Sequence, residues 1–467
     1  MSLVLAVPPT IVNLVQQGLL ERSFHDGLFP NLSFRAEAIP EEWPANTGNE
    51  IFMTRAGMLT PITKPGTPGT EPVAQQIPYE QWSAELNQFF GSVDVDMPTS
   101  TTANASLFLR SIQQLGLQAG QSINRIARNA LFKAYLGGSS VVLTALTGAE
   151  TVIRVAALNG FRAVVVPGST VRPAPVSASN PLSATISAGA TSATVSIVGY
   201  TPDDPNDPDG PGSLSLAAAV GTAFASARAA IVSAYAPRIV RAAGGSSVDA
   251  IGAGDGFVLQ QTINAVAYLR RANVQPHEDG FYHAHISPLS NAQVFADPVF
   301  QRLNTALPEH VTYKEGFIGT ISGVMFFMNT ESPESVNVGT LITTASSGKY
   351  AQEIGSEIYN GAGVQVGRVI LTGRGALYER WLNEAQHFPT EAGTTGKIGE
   401  FSVVNNGIAI STERIRLVIR APLDKLQQKV SCTWSISTSF PVPSDVTAPS
   451  GPELYKRAIV LEHGLAG

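Results

Sequence analysis

The clearest pattern along this chain is a run of apolar residues at helical spacing. Apolar side chains recur at alternating steps of three and four from Phe108 to Ala134, the period of one helix face. Basic residues lie off this stripe, and Gly137 and Gly138 follow it, as expected after the last turn of a helix. The spacing predicts one helix over residues 104–136, which would be ~45 Å long.

Two glycines lie inside this predicted helix. Gly116 and Gly120 each cost a helix up to about 1 kcal/mol relative to alanine. The apolar stripe alone is also typical of an ordinary buried core helix, so it does not identify the fold.

The segment before the helix has the opposite character. Five prolines interrupt residues 61–78, where they prevent a helix and remove N–H groups that a central strand needs. Such a segment cannot build its own core. A poor core former joined to a long helix indicates a subunit that its neighbours complete.

Alternating patterns predict strands elsewhere. Every second residue is apolar from Val430 to Phe440, which predicts the cleanest strand of the chain. Arg414, Arg416 and Arg420 alternate with apolar residues and predict a strand with one cationic face. That face fits either a solvated or interface surface or contact with DNA or a partner.

A Ser/Thr/Ala/Val-rich stretch over residues 167–212 predicts a small inserted β module, in which residues 193–197 alternate as a half-buried strand. Four aspartates surround its Pro205 and Pro208. A solvated acidic turn is the favoured interpretation over a calcium loop, because Pro205 falls where the first carboxylate ligand should be.

Composition limits the class of protein. Charged residues are 14% of the chain, against about 25% in globular proteins, which indicates surface hidden by association or a loop-rich β protein. The net charge of −6 argues against tight binding to nucleic acid.

The apolar residues 217–236 are predicted to form an Ala-rich surface helix and not a membrane-spanning segment. We therefore expect no membrane contact and a chain that is soluble when made, in a cytoplasm.

Recognisable catalytic chemistry is missing from the sequence. A single cysteine, Cys432, excludes an internal disulfide framework and a thiolate metal cluster. His283 and His285 would share one strand face, as two metal ligands require, but no third ligand accompanies them. A structural histidine pair is therefore favoured over a metal site, and we predict no enzyme, catalytic residue, metal or cofactor.

One part of the chain resembles the major capsid proteins of tailed bacteriophages. These have a strand ending in Ser-Pro, a helix that opens at Asp-Pro, a Gly-rich strand pair and a Gly-x-x-Ala-Tyr-like segment. The matching residues here are Gly280, Tyr282, Ile286, Ser287, Pro288, Asp297, Pro298, Gly316, Ile318, Gly319, Ile321, Gly323, Val324, Gly373, Ala376 and Tyr378.

The resemblance implies an α+β fold, the tailed-phage major capsid fold with its arm, loop, spine helix, and peripheral and axial domains, plus a small inserted β-rich domain. The implied segments are an N-terminal arm (1–45), an extended loop (46–101), the spine helix and start of the peripheral domain (102–166), the inserted β-rich domain with its connector (167–245), the axial domain with part of the peripheral domain (246–400), return strands of the peripheral domain (401–445) and a C-terminal tail (446–467).

The resemblance also implies the function. The subunit would self-assemble through hexamers and pentamers into the icosahedral shell around a phage's double-stranded DNA, held non-specifically, after assembly in the host cytoplasm. Scaffolding, portal and decoration proteins are further implied partners. The candidate inter-subunit contacts are Pro65, Gly66, Pro68, Gly69 and Trp82. The alternatives are another phage structural subunit (tail, fibre or decoration protein) and a soluble enzyme with a metal at His283 and His285.

Overall fold

The structure is a computed structural model. It describes residues 19–28, 33–44, 47–56, 59, 61–72, 74–75, 77, 79–96, 107–164, 173–224, 228–305, 319–329, 357–360, 363–382, 397–398, 401–404, 407–412, 414–420, 426, 428–444 and 456–465.

Its α-helices are α1 (Leu19–Leu28), α2 (Leu107–Leu136), α3 (Leu259–Arg271), α4 (Pro288–Ala296) and α5 (Pro298–Thr305). Its strands up to the end of the inserted segment are β1 (Ala38–Glu42), β2 (Glu50–Ala56), β3 (Tyr79–Glu85), β4 (Asn87–Asp96), β5 (Ser139–Val141), β6 (Val152–Val155), β7 (Ala163–Val164), β8 (Ala174–Pro175), β9 (Leu182–Ala188), β10 (Thr191–Pro202), β11 (Gly212–Leu216), β12 (Ala230–Ser233) and β13 (Ile239–Arg241). The remaining strands are β14 (Tyr282–Ile286), β15 (Thr320–Ile321), β16 (Val324–Met328), β17 (Glu357–Tyr359), β18 (Gln365–Thr372), β19 (Leu377–Trp381), β20 (Lys397–Ile398), β21 (Phe401–Val404), β22 (Gly407–Thr412), β23 (Ile415–Arg420), β24 (Lys429–Ser439) and β25 (Ala458–Gly464).

The chain divides into two compact units. The first comprises Met1–Ile51, Ser83–Arg128 and Leu377–Pro441, and the second comprises Phe52–Trp82, Asn129–Ala376 and Val442–Gly467. Helix and sheet are mixed along the chain, as the predicted α+β class requires. The predicted long helix is confirmed as the 30-residue α2.

The first unit contains an eight-stranded sheet. Its order is β1-β19-β24-β23-β22-β21-β20, and β4 also pairs with β24. The alternation that predicted β24 is confirmed, because Val430, Cys432, Trp434 and Ile436 are all buried on one face. β1 pairs with β19 in parallel, so a strand from the predicted arm becomes part of this sheet.

A buried carboxylate joins three parts of the first unit. Glu379 on β19 is 1% exposed, and it accepts hydrogen bonds from Arg35 Nη2 at 2.7 Å and Arg414 Nη1 at 2.8 Å. Arg35 immediately precedes β1 in the chain, and Arg414 precedes β23. The ion pairs therefore connect the arm to two strands that follow it by more than 300 residues.

Glycines allow α1 and α2 to approach closely within the first unit. A Cβ atom on Gly116 would overlap the carbonyl oxygen of Phe24, and one on Gly120 would lie 2.6 Å from the carbonyl oxygen of Leu28. A Cβ on Gly27 would likewise overlap the carbonyl oxygen of Gln113. Gly116 and Gly120, which the sequence predicts to weaken α2, thus make room for the backbone of α1.

We expect Gly116→Ala to destabilise the protein, although alanine favours a helix by up to about 1 kcal/mol over glycine. The added methyl group has to displace the backbone at Phe24, and overpacking of this kind costs roughly 1–3 kcal/mol. Urea unfolding should show a lower midpoint with an unchanged slope. Gln114→Ala, at an exposed position of the same helix, should leave the midpoint unchanged. A more stable Gly116→Ala protein would contradict the close helix packing.

The second unit contains a six-stranded sheet in the order β5-β12-β9-β10-β11-β6. The alternation predicted for residues 193–197 is present, since Val195 and Ile197 are buried while Thr194 and Ser196 are exposed. Strands β5 and β6 precede residue 167, so this sheet begins earlier in the chain than the predicted inserted domain. The domain boundaries themselves stay a prediction.

The predicted Ala-rich surface helix over residues 217–236 is wrong. The segment includes irregular chain and β12, whose Ile231 is fully buried in the sheet core. Pairing of β12 with both β5 and β9 buries these apolar residues more completely than one face of a surface helix would. Among the helices of the described chain, none has the length and apolar character needed to cross a membrane.

A seven-stranded sheet completes the second unit, in the order β13-β25-β18-β14-β16-β15 with β17 paired to β18. Residues of the capsid-like motifs shape it. Ser287 Oγ accepts from the Ser290 amide and caps α4 with Pro288 in the first turn, and the Tyr282 hydroxyl donates to the Val274 carbonyl at 2.7 Å. Gly280 and Gly323 adopt positive φ angles of 84° and 81°. Gly316 and Ile318 lie outside the described residues.

Asp297 caps the N-terminal ends of two helices, although Asp255 lies closer in the chain to the start of α3. The Asp297 carboxylate accepts from the Leu259 amide at the start of α3 and from the Val299 amide in α5, at 2.8 and 2.9 Å. Asp255 instead accepts from the Gly252 amide. The cap of α3 therefore comes from a residue 38 positions away, which local spacing does not reveal.

We expect Asp297→Ala to cost about 2–3 kcal/mol, because each lost cap contributes about 1 kcal/mol and the site is buried. Asp297→Asn keeps one carboxyl-like oxygen and should cost less. Urea midpoints should therefore fall in the order native, Asn, Ala. Equal midpoints for the two variants would show that the side chain does not cap both helices.

Candidate assembly surface

The loop between β2 and β3 contains a defined turn near its middle, at Thr67–Thr70. The Thr70 amide and hydroxyl both donate to the Thr67 carbonyl, at 3.2 and 2.9 Å. Pro68 and Gly69 occupy the two central positions, and the φ of Gly69 is +87°, as a type II β-turn requires. The turn gives a Pro/Gly-rich segment a fixed tip.

This segment is exposed and is not packed into a hydrophobic core. Residues 61–72 are all exposed, so Pro65, Gly66, Pro68 and Gly69 are available to a partner. They stay predicted contact residues. At the base, β2 pairs with β3, and the Leu86 amide donates to the Asn49 carbonyl at 2.9 Å. The segment is thus held at its base and open at its tip.

Apolar side chains on this segment are left in water. The exposed large apolar residues here are Phe52, Leu59, Ile62, Ile77 and Tyr79. Ile62 is 82% exposed and Tyr79 is 55% exposed. Five such side chains within residues 52–79 are a candidate interaction surface, because large exposed apolar patches mark contact sites. The sequence analysis did not identify these residues. Their position between prolines was the available signal, because apolar residues there cannot be buried in a helix or in a central strand.

Trp82 differs from the other predicted contact residues. Its side chain is only 8% exposed within its own chain, and Ala84 two residues later is 2% exposed. The alternation of β3 directs both residues to a buried face. Trp82 therefore anchors the base of the β2–β3 hairpin within its own chain, while the other predicted contact residues are exposed.

Strand β4 offers a second surface, in the first unit. Within the described residues it pairs with β24 along one edge, and no strand pairs with its other edge. Phe90 at its centre is 71% exposed. A ten-residue edge strand without proline or lysine is open to pairing with another chain unless something covers it.

Arg414 does not belong to the cationic face that was predicted for β23. Arg414 lies just before the strand with a φ of +67° and donates to buried Glu379, so it does not extend the face. Arg416 pairs across the sheet with Ser435 and is half-buried. Three aligned arginines for a DNA contact are therefore not present.

The four aspartates of the inserted segment are not simply solvated. Asp209 forms ion pairs with Lys133 at 2.5 Å and Arg162 at 3.1 Å, and Asp203 pairs with Arg154 at 2.6 Å. Asp204 accepts from the Asn206 amide at 2.9 Å. Three of the four carboxylates thus have partners in their own chain, which favours a structural role.

His283 and His285 lie on β14 but have different surroundings. His283 Nε2 lies 2.8 Å from Asp279 Oδ2, and its ring stacks on His277 at 3.9 Å. His285 is 3% exposed and stacks on Phe327. Burial alone would raise the pKa of Asp279, but the Phe281 amide and His283 outweigh it and lower that pKa. The two rings each serve local packing.

Comparisons with known proteins find likeness in structure alone. No protein-family model matches the chain, and no curated protein sequence matches it. The chain is similar to a capsid structure of the cyanophage P-SCSP1u, with a TM-score of 0.45, 10% identity, and 91% of this chain and 85% of that chain covered. It is similar to the capsid asymmetric unit of cyanophage Pam1, with a TM-score of 0.47, 10% identity and coverage of 92% and 90%. It is also similar to the capsid of Ralstonia phage GP4, with a TM-score of 0.44, 10% identity and coverage of 94% and 90%.

Proposed function

We propose that this chain is the major capsid protein of a tailed bacteriophage, which assembles through hexamers and pentamers into the icosahedral shell around double-stranded DNA. The observation that carries the proposal is the β2–β3 hairpin. It has a fixed turn at Thr67–Thr70 and exposed apolar side chains, and residues 61–72 around that turn are all exposed. The order of arm, loop, long helix and sheets fits the capsid-like motifs of the sequence.

The hairpin supplies the adhesive contact in this proposal. Full burial of one large apolar side chain contributes about 1.5–3 kcal/mol. Because association itself costs an estimated 4–15 kcal/mol, burial of Ile62, Tyr79 and Phe52 together gives a weak single contact. A subunit in a closed shell touches several neighbours through repeated contacts, and multivalency converts weak contacts into a stable assembly. Weak individual contacts also allow misplaced subunits to leave.

The open edge of β4 supports the same function. A neighbouring chain that covers this edge would satisfy its free backbone groups and bury Phe90. The chain has a net charge of −6, and Arg414 binds buried Glu379 and so does not extend the cationic face of β23. Both features fit a wall that encloses DNA without binding it tightly. Scaffolding, portal and decoration proteins are further partners in this proposal, with assembly in the host cytoplasm and no enzymatic role.

Electron microscopy of the purified protein, before and after concentration, tests the proposal. Closed spherical shells, or hexamers and pentamers that convert to shells, are the expected result. Rods, rings or trimers would instead identify a tail, fibre or decoration subunit. A monomer that persists when a scaffold is co-expressed, with a stoichiometric metal bound, would favour the enzyme with ligands at His283 and His285.

A further inference from the structure

The outward face of α3, in the second unit, carries positive charge and no negative charge. Helix α3 contains no acidic residue and ends in Arg270 and Arg271. The residues that it buries are Leu259, Thr262, Ala265, Val266 and Leu269. Its exposed residues are Gln260, Asn264, Ala267, Arg270 and Arg271. The face that α3 presents to solvent is therefore polar and cationic.

A third arginine joins this face from outside the helix. Arg238 is exposed and immediately precedes β13 in the chain. Its Cζ atom lies 3.5 Å from the centroid of the Tyr268 ring on α3. A guanidinium over the face of an aromatic ring is attracted to the electrons of that ring. This contact holds the Arg238 side chain beside α3.

The three arginines lie in a row across the exposed face of α3. Helical spacing places Tyr268 and Arg270 on opposite flanks of this face, with Arg271 between them. Arg270 also lies over the turn between β15 and β16, where a Cβ atom on Gly323 would come within 2.8 Å of Arg270 Nη2. Because Arg238 lies on Tyr268, the order of the row is Arg238, Arg271, Arg270. Its length matches the width of a helix with its side chains, about 10–12 Å.

No acidic side chain neutralises this row within the described part of the chain. None of the three arginines forms an ion pair with a described carboxylate. The acidic residues that follow α3 have other partners, since Glu278 pairs with Arg374 at 3.0 Å and Asp279 Oδ2 lies 2.8 Å from His283 Nε2. The row therefore keeps its positive charge in a chain whose net charge is −6.

We propose that the row of Arg238, Arg271 and Arg270 binds the phosphate backbone of double-stranded DNA. The choice of DNA as the polyanion rests on the proposed function, in which the shell encloses double-stranded DNA. Each DNA strand carries one phosphate per about 3.4 Å of helix axis, so a row of about 10–12 Å spans about three phosphates. Arginine suits this ligand because its planar guanidinium can donate two parallel hydrogen bonds to a phosphate. Gln260 and Asn264, on the same face, are side chains that also contact phosphates.

The contact at each subunit is weak and carries no sequence information. Phosphate contacts alone do not read base identity, and so few contacts give low affinity at physiological salt. The net charge of −6 further opposes tight binding by the whole chain. Repeated in every subunit, the row would keep packaged DNA close to the wall without fixing its position.

Fluorescence anisotropy of a labelled DNA duplex tests this surface. The full-length protein is used at a concentration where light scattering shows only unassembled subunits. Three phosphate contacts predict a slope of about −2.7 for log K against log salt, which is a roughly 40-fold loss of affinity between about 50 and 200 mM salt. The triple variant Arg238→Gln, Arg270→Gln, Arg271→Gln should have a slope near zero.

The matched control removes the same charge elsewhere. Its substitutions, at three other exposed arginines, are Arg22→Gln, Arg110→Gln and Arg154→Gln. This control should keep the native slope. Absence of DNA binding by the native protein would overturn the proposal, as would equal losses in the two triple variants, since net charge alone would then explain binding. Equal affinity for poly-L-glutamate of the same charge would also overturn it, in favour of an acidic protein as the partner.

This experiment and electron microscopy separate the surface from the proposed function. Closed shells formed by a protein that does not bind DNA would refute the arginine row alone. Rods, rings or trimers formed by a protein whose arginine row binds DNA would refute the capsid assignment alone.

Discussion

Deletion of residues 65–70 is expected to abolish closed shells while the subunit stays folded. The deleted residues include the whole Thr67–Thr70 turn, and all of them are exposed. None of them contributes to a hydrophobic core, so the urea midpoint should match that of the native chain. Electron microscopy should show only unassembled protein or open fragments.

Two milder variants make this experiment sharper. Gly69→Val opposes the positive φ that the turn requires and should reduce the yield of shells without changing stability. Thr70→Ala removes one exposed hydroxyl bond, keeps the backbone turn and should assemble normally. Normal shells from the deletion variant would refute the assignment of the tip as an assembly element, even if the protein proved to be a capsid subunit.

Glu379→Gln is expected to cause the largest loss of stability, about 3–5 kcal/mol, because removal of one partner leaves a buried guanidinium without its counter-charge. The Glu379 side chain is 1% exposed and that of Arg35 is 6% exposed. A glutamine keeps the size of the side chain and one acceptor oxygen, so the loss reports charge and not packing. Equilibrium urea unfolding of the full chain would measure it.

The exposed pair Arg374 and Glu278 supplies the matched control. Their side chains are 53% and 83% exposed, and exposed ion pairs contribute only about 0–1 kcal/mol. Glu278→Gln should therefore leave the midpoint nearly unchanged. A Glu379→Gln protein as stable as the native chain would mean that the two arginines are compensated by other groups of the arm and sheet.

Local periodicity explains which elements the sequence predicts. α2 and β24 were predictable because their apolar residues repeat at the period of one helix face and of one strand face. The same argument failed for residues 217–236, where an apolar run alone does not separate a surface helix from a buried strand such as β12.

Contacts between distant residues explain what the sequence does not predict. The cap that Asp297 provides for α3 comes from 38 residues away, and the Arg35–Glu379 pair spans 344 residues. The role of Gly116 depends on the backbone of α1, which no spacing within α2 encodes. In the candidate assembly surface, proline and glycine positions predicted the exposed tip. Alternation places Trp82 and Tyr79 on opposite faces of β3, but only burial shows that Trp82 faces inward.

The lone cysteine of the chain makes it suited to site-specific labelling. Cys432 lies on the buried face of β24 at 1% exposure, and burial raises the pKa of its thiol to about 12. A thiol that is both buried and protonated reacts poorly with maleimides. A second cysteine introduced away from the assembly turn, by Gln114→Cys at an exposed position of α2, would therefore take a fluorophore selectively, and energy transfer between labelled subunits would follow association in real time.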